Sequence, residues 1–146
     1  HRSCSNRPST REGKYMSPHR ETPGSAADWL TRARGDLAIA RAPLPAGAFW
    51  EDLCFHAQQA AEKGLKAVYV QKGWEFRYTH DLETLIYGLE QNGLEVPMTI
   101  AASDMLSRYA WEARYPGLDE AITQDEYREA VRMAECVLAW VQTQLV

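Results

Sequence analysis

Arg114-Tyr115-Pro116-Gly117 joins a permanent guanidinium charge, an aromatic ring and a stiff turn, with Tyr109 and Trp111 nearby in sequence. A guanidinium held at such a corner can grip a phosphate while a tyrosine stacks on a base. The plain alternative is that Arg114 bonds the last carbonyls of its own helix. Thr79-His80-Asp81 is a second candidate. A histidine there can accept or release a proton near neutral pH, or simply partner a neighbouring carboxylate. The third is His56, Gln59 and Lys63, polar residues about one helical turn apart, which suit either ligand contacts or a subunit contact. Standard catalytic patterns are absent from the sequence: there is no Glu-x-x-His pair, no His-Glu-x-x-His, no Gly-rich phosphate loop and no Gly-x-Ser-x-Gly. Neither a metal nor an organic cofactor is expected.

The elements that must position these groups read as helices. Leu53, Ala57, Ala60, Gly64 and Ala67 recur at steps of four and three and form a seam of mostly small side chains. A glycine in mid-helix costs about 1 kcal/mol relative to alanine, a cost best accepted where a neighbouring helix must come close. Glu62 and Lys66 form an i, i+4 pair, expected to contribute a few tenths of a kcal/mol on a helix surface. This central helix should open at Phe49 or Trp50 and end before Gly73. Another precedes it, capped by Ser25 and reaching about Arg41, with Ala26, Leu30, Ala33, Leu37 and Ala40 as its seam. The short Pro43-to-Gly47 connection makes the two antiparallel neighbours.

Thr79 is the expected N-cap of a third helix that Asn92-Gly93 stops. A fourth follows Pro97, with Met98, Ala102, Met105, Leu106, Tyr109 and Ala113 on its inner side, and ends before Pro116. Thr123-x-x-Glu126 is a capping box for the last, whose seam is Tyr127, Val131, Ala134, Leu138, Val141 and Leu145. No stretch alternates with a period of two. The expectation is an all-α, antiparallel up-and-down bundle of five helices, four long and one shorter, over residues 25–146. Residues 1–24, rich in Ser, Arg, Pro and Thr, read as a disordered tail, within which Met16 is a candidate natural start.

Of the chain's 146 residues, 16 are basic and 20 acidic, a net charge of −4. Arg2, Arg7, Arg11 and Lys14 against Glu12 make the tail basic, so the remainder is more acidic than the total. Such a domain is a poor general binder of nucleic-acid backbone, and bulk DNA binding is not expected. There is no apolar run long enough for a membrane span and no signal-peptide pattern, which makes a cytoplasmic location the default expectation. Three cysteines, Cys4, Cys54 and Cys136, without a C-x-x-C spacing, fit neither a disulfide framework nor a zinc knuckle. Trp50, Trp74, Trp111 and Trp140 exceed what the seams need, so an interface role for some is open.

Three stretches in order, Phe55-His56-Ala57-Gln58-Gln59-Ala60-Ala61-Glu62-Lys63-Gly64-Leu65-Lys66-Ala67, Thr79-His80-Asp81-Leu82 and Ala113-Arg114-Tyr115-Pro116, resemble the HEPN family, the higher eukaryotes and prokaryotes nucleotide-binding domain. Trp29-Leu30 through Asp36-Leu37-Ala38 resembles the family's opening helix. The resemblance covers about residues 26 to 145. It implies a bundle of four or five helices, usually a homodimer. Many members are metal-independent ribonuclease toxins, and small stand-alone members are often encoded beside a minimal nucleotidyltransferase that acts as antitoxin. In nuclease members an arginine is followed, after four to six residues, by a histidine. Here Tyr115 to Ala121 follow Arg114, and none is histidine. Losing that acid/base group should cost roughly 100-fold or more in rate. The expected function is therefore non-catalytic binding of a nucleotide, an RNA or a nucleotidyltransferase partner, through Arg114, Tyr115, Tyr109, His80, His56 and Lys63. A degenerate ribonuclease using Arg114 and His80, and a plain dimerisation or scaffold module, are the alternatives.

Overall fold

The computed structural model describes residues 21–110 and 121–146. Its helices are α1 (Ala26–Arg41), α2 (Trp50–Lys72), α3 (Leu82–Gln91), α4 (Met98–Ala101), a 3-10 helix (Ala102–Ala110) and α5 (Gln124–Gln144). The five α-helices form an all-α antiparallel bundle with no strand among the described residues. Residues 1–20, most of the expected tail, lie outside the description, as does the 111–120 stretch.

Local signals set most of the boundaries. The Ser25 hydroxyl accepts from the Asp28 N–H at 3.1 Å to start α1, and Asp52 reaches back to the Phe49 N–H at 3.0 Å to start α2. Gly73, at φ 74°, ends α2 in the left-handed conformation that glycine adopts without strain. Thr123 and Glu126 form the expected reciprocal cap of α5.

α2 is the axis of the molecule, packed against α1, α5, α3 and the 3-10 helix. The α1–α2 seam residues Leu30, Ala33, Leu37, Ala57, Ala60 and Ala67 are buried, and α5 contributes Ala130, Ala134, Val137, Leu138 and Val141. Gly64 sits where α2 meets α5: a Cβ built there would lie 2.5 Å from Leu138 Cδ2, so a side chain rather than another backbone occupies the space. Tyr127 locks three helices, its ring stacked on Trp50 at 4.6 Å and its hydroxyl donating to the Ala40 carbonyl at 2.5 Å. Trp50, Trp74 and Trp140 pack half-buried against this core, while Trp111 is outside the described residues.

Two boundaries differ from expectation. Asp81, not Thr79, caps α3: its carboxylate accepts from the Glu83 N–H at 3.1 Å and the Thr84 hydroxyl at 3.0 Å, while Thr79 Oγ1 accepts from the Asp81 N–H one step earlier. Beyond Pro97 only the first turn is α-helical, and Ala102–Ala110 continues as a 3-10 helix. The buried residues are Ile100, Ser103, Leu106 and Tyr109, every third position, which is the repeat of a 3-10 helix. Met98, Ala102 and Met105, expected inside, are exposed.

Candidate functional site

The Glu62–Lys66 pair, expected to contribute only a few tenths of a kcal/mol, is buried: each side chain is 4% exposed, and Lys66 Nζ lies 2.8 Å from Glu62 Oε2. Trp29, Phe76 and Tyr78 surround that ammonium, with ring centroids 5.4–5.8 Å away. Withdrawing such a charge from water is costly unless it is partnered, and among the described residues no buried side-chain nitrogen or oxygen is left without a hydrogen-bond partner. Glu62 Oε1 accepts from Gln58 Nε2 at 3.0 Å and Gln59 Nε2 at 3.2 Å, and from His80 Nδ1 at 2.9 Å. Burial alone would push the Glu62 carboxyl up; the hydrogen bonds from Lys66, His80 and Gln58, helped by the Lys66 charge, outweigh it and hold the group below the usual carboxylate value.

This network fixes His80 at both ends. Gln58 Nε2, besides reaching Glu62, donates to the His80 carbonyl at 3.0 Å, and the ring rests on Glu62 although the side chain is 72% exposed. The residue after it caps α3, and Ser107 Oγ from the 3-10 helix accepts from the Leu82 N–H at 2.7 Å. Between this corner and the 3-10 helix opens a cavity of about 610 Å³. His80, Asp81 and Glu83 line one side, and Asp104, Met105, Ser107 and Arg108 line the other. Its volume suits a small ligand or a few side chains of a partner.

His56 and Lys63 belong to a second cluster. Both reach Asp36 on α1, His56 Nδ1 at 2.8 Å from Oδ1 and Lys63 Nζ at 2.6 Å from Oδ2. These contacts tie α1 to α2, while Gln59 turns toward Gln58 and Glu62 instead. Tyr109 is buried in the core with the Arg108 guanidinium 5.2 Å above its ring, and burial pushes its hydroxyl up. Arg114 and Tyr115 lie outside the described residues. Among the described residues, no group of three His, Cys, Asp or Glu side chains is placed to hold a metal ion, and no helix is long and apolar enough to cross a membrane. Cys54 and Cys136 are free thiols. Cys54 is buried in the core.

Of the residues expected to bind a ligand, the structure places His80 at the cavity and pairs His56 and Lys63 with Asp36 away from it, while Asp36, Gln58, Glu62 and Lys66, which hold these side chains, were not among the expected site residues. A signal was present: Gln58, Glu62 and Lys66 stand four apart, on one stripe of a helix otherwise built for burial.

The fold is thus a helical bundle whose central helix carries a buried polar network beneath a cavity-facing histidine. The family model that matches it is the HEPN domain, over residues 26–144. The chain belongs to the HEPN family. Among solved structures it is similar to TT1696 from Thermus thermophilus, at 32% identity and a TM-score of 0.72, with 82% of this chain and 98% of that one covered. It is also similar to ST0689, described as an archaeal HEPN homologue, at 27% identity and a TM-score of 0.67, covering 84% of this chain and 98% of that one. No curated protein matches the chain.

Proposed function

We propose that this HEPN protein works by binding, without catalysis, and that its cavity receives a partner protein, with a minimal nucleotidyltransferase of a toxin-antitoxin pair the partner the family resemblance suggests. The observation that carries this reading is the charge of the cavity. Among the described lining residues, Asp81, Glu83 and Asp104 stand against Arg108 and His80. Such a surface disfavours phosphate and favours a basic protein segment. Homodimerisation, which the resemblance also implies, would present two such cavities. The test is calorimetric titration with ATP, GTP and a short RNA at physiological salt, beside titration with a purified minimal nucleotidyltransferase. Heat of binding is expected only with the protein, and saturable binding of nucleotide or RNA alone would overturn the choice of partner.

A ribonuclease remains the second reading, favoured by one contact. His80 rests on a buried carboxylate, as an imidazole does when it serves as a general base. That reading expects RNA cleavage that survives EDTA and is lost in His80→Ala. RNA left intact over hours by purified protein removes it.

A further inference from the structure

The hydrogen bonds around Glu62 decide which nitrogen of His80 carries the proton. Glu62 is nearly sealed from solvent, receives Lys66 at 2.8 Å, and accepts two glutamine amides on the oxygen that meets His80. An ionised carboxylate accepts and cannot donate. The Nδ1 atom, 2.9 Å away, must therefore be the N–H. In the neutral ring the lone pair then belongs to Nε2. No described residue bonds Nε2, and the ring is 72% exposed beside the cavity.

We propose that Glu62 acts as a positioning residue that sets the tautomer of His80, so that the cavity offers a bare imidazole nitrogen and selects a ligand bearing an N–H donor, of the kind a lysine or arginine side chain supplies. The inference rests on the binding reading above and names the chemistry that its cavity recognises. Three observations point the same way. Gln58 bonds both the His80 carbonyl and Glu62, which holds the His80 backbone beside the carboxylate, and turning the ring over would break its 2.9 Å bond to Glu62. Asp81, Glu83 and Asp104 outnumber Arg108 in the described lining, and that balance of charge suits a cation. The exposed Met105 on the opposite wall gives apolar surface for the aliphatic stem of a basic side chain. A free phosphate finds the reverse: a lone pair where it needs a donor, and, among the described lining residues, three carboxylates against the Arg108 guanidinium.

The experiment has two readouts on the full chain. Ring nitrogen shifts of His80 by NMR at a pH where the ring is neutral report the tautomer directly and need no variant. Protonation at Nδ1 is expected, and protonation at Nε2 overturns the proposal. The second readout is titration with n-butylguanidinium or with inorganic phosphate, followed at the amides of Asp104, Met105 and Ser107. Saturable shifts are expected with the guanidinium and none with phosphate. His80→Asn, which keeps a donor toward Glu62 but has no atom at the Nε2 position, should weaken the guanidinium about twofold to tenfold, the worth of one hydrogen bond. Phosphate shifting the same amides, or the variant binding the guanidinium as the wild type does, overturns the proposal. RNA cleavage by the wild type would sink the non-catalytic reading while leaving the ring result standing, so the two failures are distinguishable.

Discussion

Replacing Glu62 with Gln removes a charge and leaves a comparable shape, which makes it a sharp test of the buried network. The Lys66 ammonium, 4% exposed, would lose its counter-charge. Breaking one side of a buried ion pair costs about 3–5 kcal/mol, because the remaining charge is left without compensation. The faces of Trp29, Phe76 and Tyr78 within 5.8 Å are contacts that wild type and variant share, so they cancel from the difference. A loss of about 3–5 kcal/mol is expected, against a total stability of about 5–15 kcal/mol for a domain. The assay is urea unfolding followed by circular dichroism and tryptophan fluorescence. Glu62→Gln combined with Lys66→Met removes both charges and should recover most of the loss. The pH dependence has a definite sign. The folded carboxyl titrates below its ordinary value of 4.5, so its contribution is present above that value and is lost as pH falls through the folded one. The difference between wild type and Glu62→Gln should accordingly shrink in acid. A single variant within about 1 kcal/mol of wild type, or a double variant as unstable as the single, would refute the account of this network.

Gly64→Ala sets a helix gain of about 1 kcal/mol against a Cβ placed 2.5 Å from Leu138 Cδ2; overpacking of about 1–3 kcal/mol should win, and urea unfolding should show a net loss that shrinks in a Leu138→Ala background. Burial pushes the Cys54 thiol up to about 12 from 9.0, helped by Glu51 and Glu126, so mass-spectrometric mapping after brief alkylation should find Cys136 modified well before Cys54. The same shift stabilises the fold fully below pH 9, and that contribution should fade as pH rises from 9 toward about 12. Tyr127→Phe keeps the stacking on Trp50 but loses the bond to the Ala40 carbonyl, costing about 0.5–1.5 kcal/mol by thermal or urea unfolding, whereas Tyr127→Ala should cost distinctly more.

What the amino-acid order determined by itself is whatever acts within about four residues along the chain. Ser25, Asp52, Gly73 and Thr123 with Glu126 each end or begin a helix through bonds to their immediate neighbours, and each is visible as a residue type at a spacing. The seam from Leu53 to Ala67 is legible for the same reason, since a repeating step of four and three leaves a helix little choice of inner face. Even the 3-10 helix left a mark, in Ile100, Ser103, Leu106 and Tyr109, but a serine in the series and the apolar Met98 and Met105 made an α-helical reading as natural. At the start of α3 Asp81 takes the Glu83 N–H, while the Ser107 hydroxyl, 25 residues away in the chain, takes the Leu82 N–H, a contact that local spacing does not announce. Glu62 and Lys66 look alike on paper whether they face water or Trp29, Phe76 and Tyr78, because an i, i+4 pair carries no information about what covers it. His80 reaches Glu62 only because the chain after Gly73 folds back along α2, and His56 and Lys63 find Asp36 only because α1 lies beside them. Those meetings decide which charges are buried and which nitrogen faces the cavity, and only the packed bundle fixes them.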